Sequence, residues 1–260
     1  MTKDNLTIVY YTCNYLETAN PEFLSNTKAQ LVKAIEDLPL IVVSHKPVSK
    51  ESFIGYEGNY SNIVLGDIGR SHLNIYRQIM IGAKEAKTKY VAMAEDDILY
   101  SKDHFFSAQI DKEFKADEDI FLYDMNKLSL FTWSKPPIFS FRSKRKVVNQ
   151  LIAPSRMLAE AMEERFKRLD ELKATGRSEE SIIKYWGDPG RYEGLLGVTP
   201  RKSVEFYSAT PSIVFTHSKA FGYEFNHGKR KRHGDIKIVE LLEWGRAEEV
   251  LKLWGTVPLQ

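Results

Sequence analysis

The sequence is almost free of cysteine and has no long apolar run. Cys13 is its single cysteine, so an internal disulfide framework and a cysteine-based zinc site are both excluded. No stretch approaches the ~18 apolar residues of a membrane span, and the first residues lack an apolar segment of signal-peptide length. We therefore expect a soluble, cytoplasmic protein with no membrane partner.

Two further absences concern charge and glycine. The 37 Lys and Arg residues against 35 Asp and Glu residues leave a net charge of +2, which argues against a surface covered in basic residues for non-specific nucleic-acid binding. Neither a G-x-G-x-x-G nor a P-loop pattern occurs. A nucleotidyltransferase would need a glycine-rich phosphate loop after its first strand, where this chain has TCNYLE at 12–17. That class is therefore disfavoured.

The first hundred residues alternate between short β-branched runs and helical patterns. This alternation is typical of repeated βα units around a largely parallel sheet. A helix is predicted over about 20–36, and a second one follows the capping residue Ser71. Strands are predicted over 6–11, 40–44, 62–65 and 90–94.

The second half is less regular. A long amphipathic helix is predicted over 155–175, ending at Gly176. The tail from 236 to 254 is predicted to form one or two helices broken near Gly245. Further strands are predicted over 120–123, 128–133, 204–207 and 212–215. We predict one α/β domain over residues 1–260, with a first half over 1–100 and an elaborated half over 101–260.

The most informative motif is the acidic triplet Glu95-Asp96-Asp97, which follows the predicted strand 90–94. Three adjacent carboxylates repel one another unless a cation or hydrogen-bond donors compensate their charge. Carboxylate oxygens are the ligands that magnesium and manganese prefer, and such a metal can stabilise a nucleotide diphosphate as a leaving group. The alternative is a solvated acidic turn that caps the next helix.

The βα units followed by YVAMAEDDILY resemble the nucleotide-sugar half of GT-A glycosyltransferases, whose D-x-D-type motif the triplet matches with Glu in first place. The resemblance covers residues 6–97 well and the remainder loosely. It implies a GT-A-like α/β fold, with a Rossmann-like, mostly parallel sheet flanked by helices and an elaborated C-terminal acceptor half. It also implies that Asp97 binds a divalent metal, manganese or magnesium, and that Glu95 and Asp96 contact the donor.

The same resemblance implies an activity and gives roles to other strand ends. The activity is transfer of a sugar from a nucleotide-diphosphate sugar, with a UDP-sugar favoured, to a hydroxyl acceptor. Thr12 and Asn14 would line the nucleotide base, and Asp67 with Arg70 would meet the base or the ribose. The alternatives for these residues are an ST-turn, an Asx-turn and a surface arginine.

A second match lies late in the chain, where SATPSIVFTHSKAFG resembles the strand of this family that ends in a metal-binding histidine. The residue concerned is His217. A neutral imidazole can complete a divalent site that carboxylates begin. The alternative is a hydrogen-bonded structural histidine.

Between these matches lies YWGDPGRYEGLLG, where inverting members of the family carry an acidic general base. Asp188 is the best positional match and Glu193 the second. A carboxylate there would accept the proton of the attacking hydroxyl, and these two acids are the reason that we expect inversion. The alternative is that Asp188, followed by Pro189, caps a helix.

Two basic clusters remain, RSKRK at 142–146 and KRKRH at 229–233. In glycosyltransferases that this chain resembles, a loop near the second cluster often covers the donor, so that Lys219, Lys229 or Arg230 would neutralise the diphosphate. The two clusters could instead grip a phosphate backbone while a base enters the site.

In that case we expect the acceptor to be a hydroxymethylated pyrimidine in DNA, as for bacteriophage enzymes that glycosylate DNA bases. If the protein is viral, its location would be the host cytoplasm. Two alternatives stay open. One is a glycan or small-molecule acceptor. The other is a non-catalytic nucleic-acid-binding protein.

Overall fold

A computed structural model describes residues 1–2, 4–141, 145–217 and 236–255. The strands are β1 (Leu6–Thr12), β2 (Leu40–Ser44), β3 (Tyr60–Val64), β4 (Tyr90–Ala94), β5 (Ile98–Leu99), β6 (Phe121–Asp124), β7 (Lys127–Phe131), β8 (Phe139–Phe141), β9 (Leu151–Pro154), β10 (Ser203–Phe206), β11 (Ser212–Thr216), β12 (Ile236–Ile238), β13 (Glu240–Leu241) and β14 (Gly245–Arg246). The helices are α1 (Tyr15–Ala19), α2 (Pro21–Ile35), α3 (His72–Glu85), α4 (Lys102–Phe106), α5 (Ala108–Ala116), α6 (Ser155–Ala174), α7 (Glu179–Ile183), α8 (Glu193–Leu196) and α9 (Ala247–Lys252).

The larger sheet has seven strands in the order β10-β6-β9-β4-β1-β2-β3. Strand β9 runs antiparallel to both of its neighbours, and every other pair is parallel. Helices cover both faces, which explains why the central strands are buried along their whole length and have continuous apolar sequences. This is the fold class that the resemblance to GT-A glycosyltransferases implies, and the prediction is confirmed.

Alternation of side chains along the strands divides the core into two layers. The odd-numbered positions of β1, such as Val9, pack with α3 and α6 on one face. The even-numbered positions, such as Ile8, pack with α2 and α5 on the other. Gly82 lets α3 approach β1 closely, since a Cβ atom at this position would lie 2.3 Å from a methyl carbon of Val9.

The C-terminal half adds a second sheet of five strands in the order β12-β8-β7-β11-β5. Strand β5 directly follows the acidic triplet, and it pairs antiparallel with β11. The amide of Phe215 donates to the carbonyl oxygen of Asp97 at 3.0 Å. This pairing brings the end of β11 beside the acidic triplet at the end of β4.

Most predicted elements of the first half and the long helix α6 agree with the structure to within about two residues. The prediction of helices across the tail is wrong from its start to Arg246. Residues 236–238 form β12, which pairs with β8, and β13 pairs with β14 before the short helix α9. The apolar alternation of Ile236 and Ile238 suits an edge strand, but β8, its partner, was not predicted. None of the described helices is long and apolar enough to span a membrane.

Candidate active site

A cavity of about 690 Å³ lies where β1, β4 and β11 end. Such a crevice at the carboxyl ends of parallel strands is the usual ligand position in open α/β sheets. Seven of the residues singled out in the sequence line it: Thr12, Arg70, Glu95, Asp96, Asp97, Asp188 and His217. Asn14, Asp67 and Glu193 do not, and Lys219, Lys229 and Arg230 lie outside the described residues. Segments far apart in sequence therefore share one cavity.

The acidic triplet caps no helix. The next helix, α4, has Ser101 as its N-cap, and β5 lies between it and the triplet. Burial and the charge of Asp97 raise the pKa of Glu95 to about 8 and that of Asp96 to about 6. Glu95 and Asp96 are therefore less well solvated than the acids of an exposed turn.

Neutral donors hold two of these acids in place. The side-chain amide of Asn149 donates to Glu95 Oε2 at 2.7 Å, and Thr12 Oγ1 donates to Asp96 Oδ2 at 2.6 Å. Neither donor carries a charge, so each orients its acid without cancelling the negative charge. Asn149 lies in a segment that carries no sequence motif, and sequence reasoning missed it.

Asp97 and His217 form a pair that suits a divalent ion. His217 Nε2 lies 3.6 Å from Asp97 Oδ2, and both side chains are largely buried. Metal bonds of about 2.0–2.2 Å let one ion join two donors up to roughly 4 Å apart, so the pair fits. The described part of the chain contains no group of three or more His, Cys, Asp or Glu side chains that could hold a metal ion together. The pair therefore suits an ion that takes its other ligands from substrate phosphates and water.

Asn14 has a structural position instead of facing the cavity. It is buried with a φ of 58°, and its Oδ1 accepts from the amides of His45 at 3.0 Å and Lys46 at 2.9 Å. Its Nδ2 donates to Glu17 at 2.9 Å. The side chain thus ties the end of β1 to the end of β2, and it does not line the cavity.

Asp67 and Arg70 are separated by the structure. The Asp67 side chain is 89% exposed, and its Oδ1 accepts from the amide of Gly69 at 2.9 Å, as in an Asx-turn. The guanidinium of Arg70 lies 4.3 Å from the ring centroid of Tyr15, and both residues line the cavity. Only Arg70 is therefore in position to contact a base or ribose.

Asp188 is a buried carboxylate that lines the cavity. The hydroxyl of Tyr76, on α3, donates to its Oδ1 at 2.6 Å. Burial raises the pKa of Asp188, and the Tyr76 hydrogen bond partly offsets this rise. No helix begins at Pro189: residues 189–190 form a turn, and the next helix, α8, begins at Glu193 with Tyr192 as its N-cap. The capping alternative for Asp188 is therefore wrong.

Glu193, the second candidate for the general base, does not line the cavity, and other groups engage its carboxylate. Its Oε1 accepts from Arg165 Nη2 at 3.2 Å and from the Gly190 amide at 2.8 Å, and its Oε2 accepts from the Arg201 amide at 2.9 Å. Arg165 is completely buried. Glu193 Oε1 thus helps to hold the loop that carries Asp188, and Oε2 holds the backbone at Arg201.

No protein-family model matches this chain, and no curated protein matches its sequence. Among solved structures, the chain is similar to the crystal structure of S. aureus TarS, a glycosyltransferase, with 11% sequence identity and a TM-score of 0.44. The match covers 85% of this chain and 38% of TarS. The chain thus spans about two fifths of the length of that protein.

We predict that Glu193→Gln destabilises the fold. The change leaves the buried Arg165 guanidinium without its counter-charge, and breaking a buried pair in this way costs about 3–5 kcal/mol. Glu171→Gln is the matched control, because Glu171 pairs with Arg168 at 3.0 Å on the exposed surface, where an ion pair contributes about 0–1 kcal/mol. Urea denaturation measures both. A Glu193→Gln variant of unchanged stability would contradict the structural role.

Proposed function

We propose that this protein is a metal-dependent, inverting glycosyltransferase that uses a nucleotide-diphosphate sugar, with a UDP-sugar favoured. The observation that carries the proposal is that a single cavity contains the acidic triplet, His217 and the buried Asp188. Its volume of about 690 Å³ is within the roughly 300–1,000 Å³ of small-molecule sites. The shared position of these residues supports a metal-diphosphate site and a general base in one cavity.

The donor end is built around Asp97 and His217. A divalent ion, when bound by these two residues, supplies the positive charge that stabilises a diphosphate leaving group. Glu95 and Asp96 are placed to accept hydrogen bonds from hydroxyls of the ribose or the sugar. The Arg70 guanidinium lies over the Tyr15 ring at the cavity surface, where its planar group could stack on the nucleotide base.

The acceptor end is built around Asp188. As the acceptor oxygen bonds to the anomeric carbon, the bond from that carbon to the diphosphate breaks, and the proton of the acceptor hydroxyl moves to the Asp188 carboxylate. One displacement inverts the anomeric centre. Tyr76 orients Asp188, and burial makes the carboxylate a stronger base than an exposed aspartate.

Metal-dependent nucleotide binding tests the donor site. UDP at ~100 times its Kd, with manganese, is expected to stabilise the wild-type protein by roughly 2.7 kcal/mol, and a chelator should remove most of this effect. Asp97→Asn is expected to lose the metal-dependent part, because the metal loses a charged ligand. The exposed Asp119 supplies the control, Asp119→Asn. The readout is the melting temperature, with GDP run in parallel to identify the base. A full metal-dependent shift in Asp97→Asn would rule out the donor site.

Variants at Asp188 and Tyr76 test the base. Asp188→Asn is expected to lower the transfer rate about 10²–10⁴-fold, while UDP binding is retained. Tyr76→Phe removes a hydrogen bond that lowers the pKa of Asp188. Because the base acts only above its pKa, the acidic limb of the kcat profile should move to higher pH.

The control for Tyr76→Phe is Tyr207→Phe, at an exposed tyrosine. It should leave the profile unchanged. Normal transfer by Asp188→Asn would exclude this residue as the base.

We propose a hydroxymethylated pyrimidine in DNA as the acceptor. Arg145, from the first basic cluster, and Arg191 line the cavity. Their positive charges lower the pKa of Asp188 and so partly offset the effect of its burial. Contacts from arginine side chains to backbone phosphates position a nucleic acid without reading its sequence. The second basic cluster, at 229–233, lies outside the described residues.

Transfer assays with labelled UDP-sugars test the acceptor. A duplex containing hydroxymethylcytosine is expected to receive the sugar, and the matched duplex with unmodified cytosine is not. The apparent KM for the duplex should rise steeply with salt, because cationic contacts release counterions. Transfer to glycans with none to DNA would favour the glycan alternative. Salt-sensitive DNA binding without nucleotide binding would favour the non-catalytic one.

A further inference from the structure

Lys127 is a buried cation of the cavity that neither the donor site nor the base explains. It is the first residue of β7 and lines the cavity. Its Nζ is buried and has no hydrogen-bond partner among the described residues. A buried charged group without such a partner lowers the free energy of unfolding. An anion bound to Lys127 would restore part of that free energy.

The carboxylates near Lys127 are already engaged by other groups. Asp124 Oδ2 lies 2.9 Å from His104 Nδ1, and Asp188 accepts from Tyr76. Glu205 Oε1 lies 3.8 Å from Lys146 Nζ. These three acids attract the Lys127 ammonium, but none forms a hydrogen bond with it. Burial lowers the pKa of Lys127 to about 8, so the amine is still mostly protonated at neutral pH.

Two guanidinium groups line the same cavity. Arg191 Nη1 lies 3.6 Å from Asp188 Oδ2, and its Nη2 donates to the hydroxyl of Tyr192 at 2.7 Å. The positive charge of Arg145 lowers the pKa values of both Lys127 and Asp188. Three cations, Lys127, Arg145 and Arg191, thus line the same cavity as Asp188.

We infer that Lys127, Arg145 and Arg191 form a subsite that binds a phosphate group of the acceptor, close to the hydroxyl that Asp188 activates. The assignment to the acceptor rests on the proposed function, whereas anion binding at Lys127 does not. A phosphate has enough acceptor oxygens for one ammonium and two guanidinium groups. The phosphate belongs either to a monoester on a small acceptor or to the diester backbone of a polymer.

The test uses three small probes on the full-length protein in the presence of a chelator. Methyl phosphate represents a monoester, dimethyl phosphate represents a diester, and trimethyl phosphate is a neutral molecule of similar shape. Isothermal titration calorimetry measures each Kd. We expect at least one of the two anions to bind and the neutral probe not to bind. The tighter anion identifies the source of the phosphate.

Variants of Lys127 decide whether this subsite is responsible. Lys127→Met is expected to weaken anion binding about tenfold or more, as for loss of a charge-assisted hydrogen bond. Lys127→Arg keeps the charge and should retain most of the affinity. Lys112→Met, at an exposed lysine of α5, is the matched control and should bind like the wild type. Melting temperatures confirm that each variant is folded.

Two results would overturn the inference: no binding of either anion to the wild type, or equal binding to Lys127→Met. Binding of UDP with magnesium, measured on the same variants, separates this inference from the proposed function. Lys127→Met should keep UDP affinity, because Lys127 is assigned to the acceptor end. If UDP does not bind even to the wild type, the glycosyltransferase proposal fails, while the anion titrations still decide the subsite.

Discussion

The antiparallel pairing of β5 with β11 is the constraint on which the candidate site depends. Strand β5 begins immediately after the acidic triplet, so its hydrogen bonds to β11 fix the direction in which the chain leaves the larger sheet. The bond from the Phe215 amide to the Asp97 carbonyl brings two segments more than a hundred residues apart into contact. The Asp97 and His217 side chains can form a pair only because this backbone ladder exists.

Buried and partly buried carboxylates in this protein fall into two groups that differ in their donors. Glu193 and Asp124 accept from an arginine, a histidine or backbone amides, so the protein replaces the water that they lose. Glu95, Asp96 and Asp188 accept from a neutral amide or hydroxyl, and burial raises their pKa. Carboxylates of the second group suit a cation, a substrate hydroxyl or a proton as a further partner.

Charge is distributed unevenly along the cavity. The end that holds the triplet and His217 carries several acids, whereas Lys127, Arg145 and Arg191 line the cavity with Asp188, 3.6 Å from Arg191. An acidic end suits a diphosphate only together with a divalent ion. A basic end suits an anionic acceptor directly. The small net charge of +2 is a sum over the whole chain and does not reveal this local separation.

The sequence by itself determined the α/β class, most elements of the first half, and the acids at the end of β4, because these depend on local periodicity and on adjacent residues. It also indicated His217 and Asp188 through their resemblance to a family. Only the tertiary structure separated Asp188 from Glu193, since the partners of Glu193 are brought to it by folding. The same holds for the edge strand β12 and for Lys127. Strand pairing and the lack of a partner for a buried amine are long-range properties that no local pattern records.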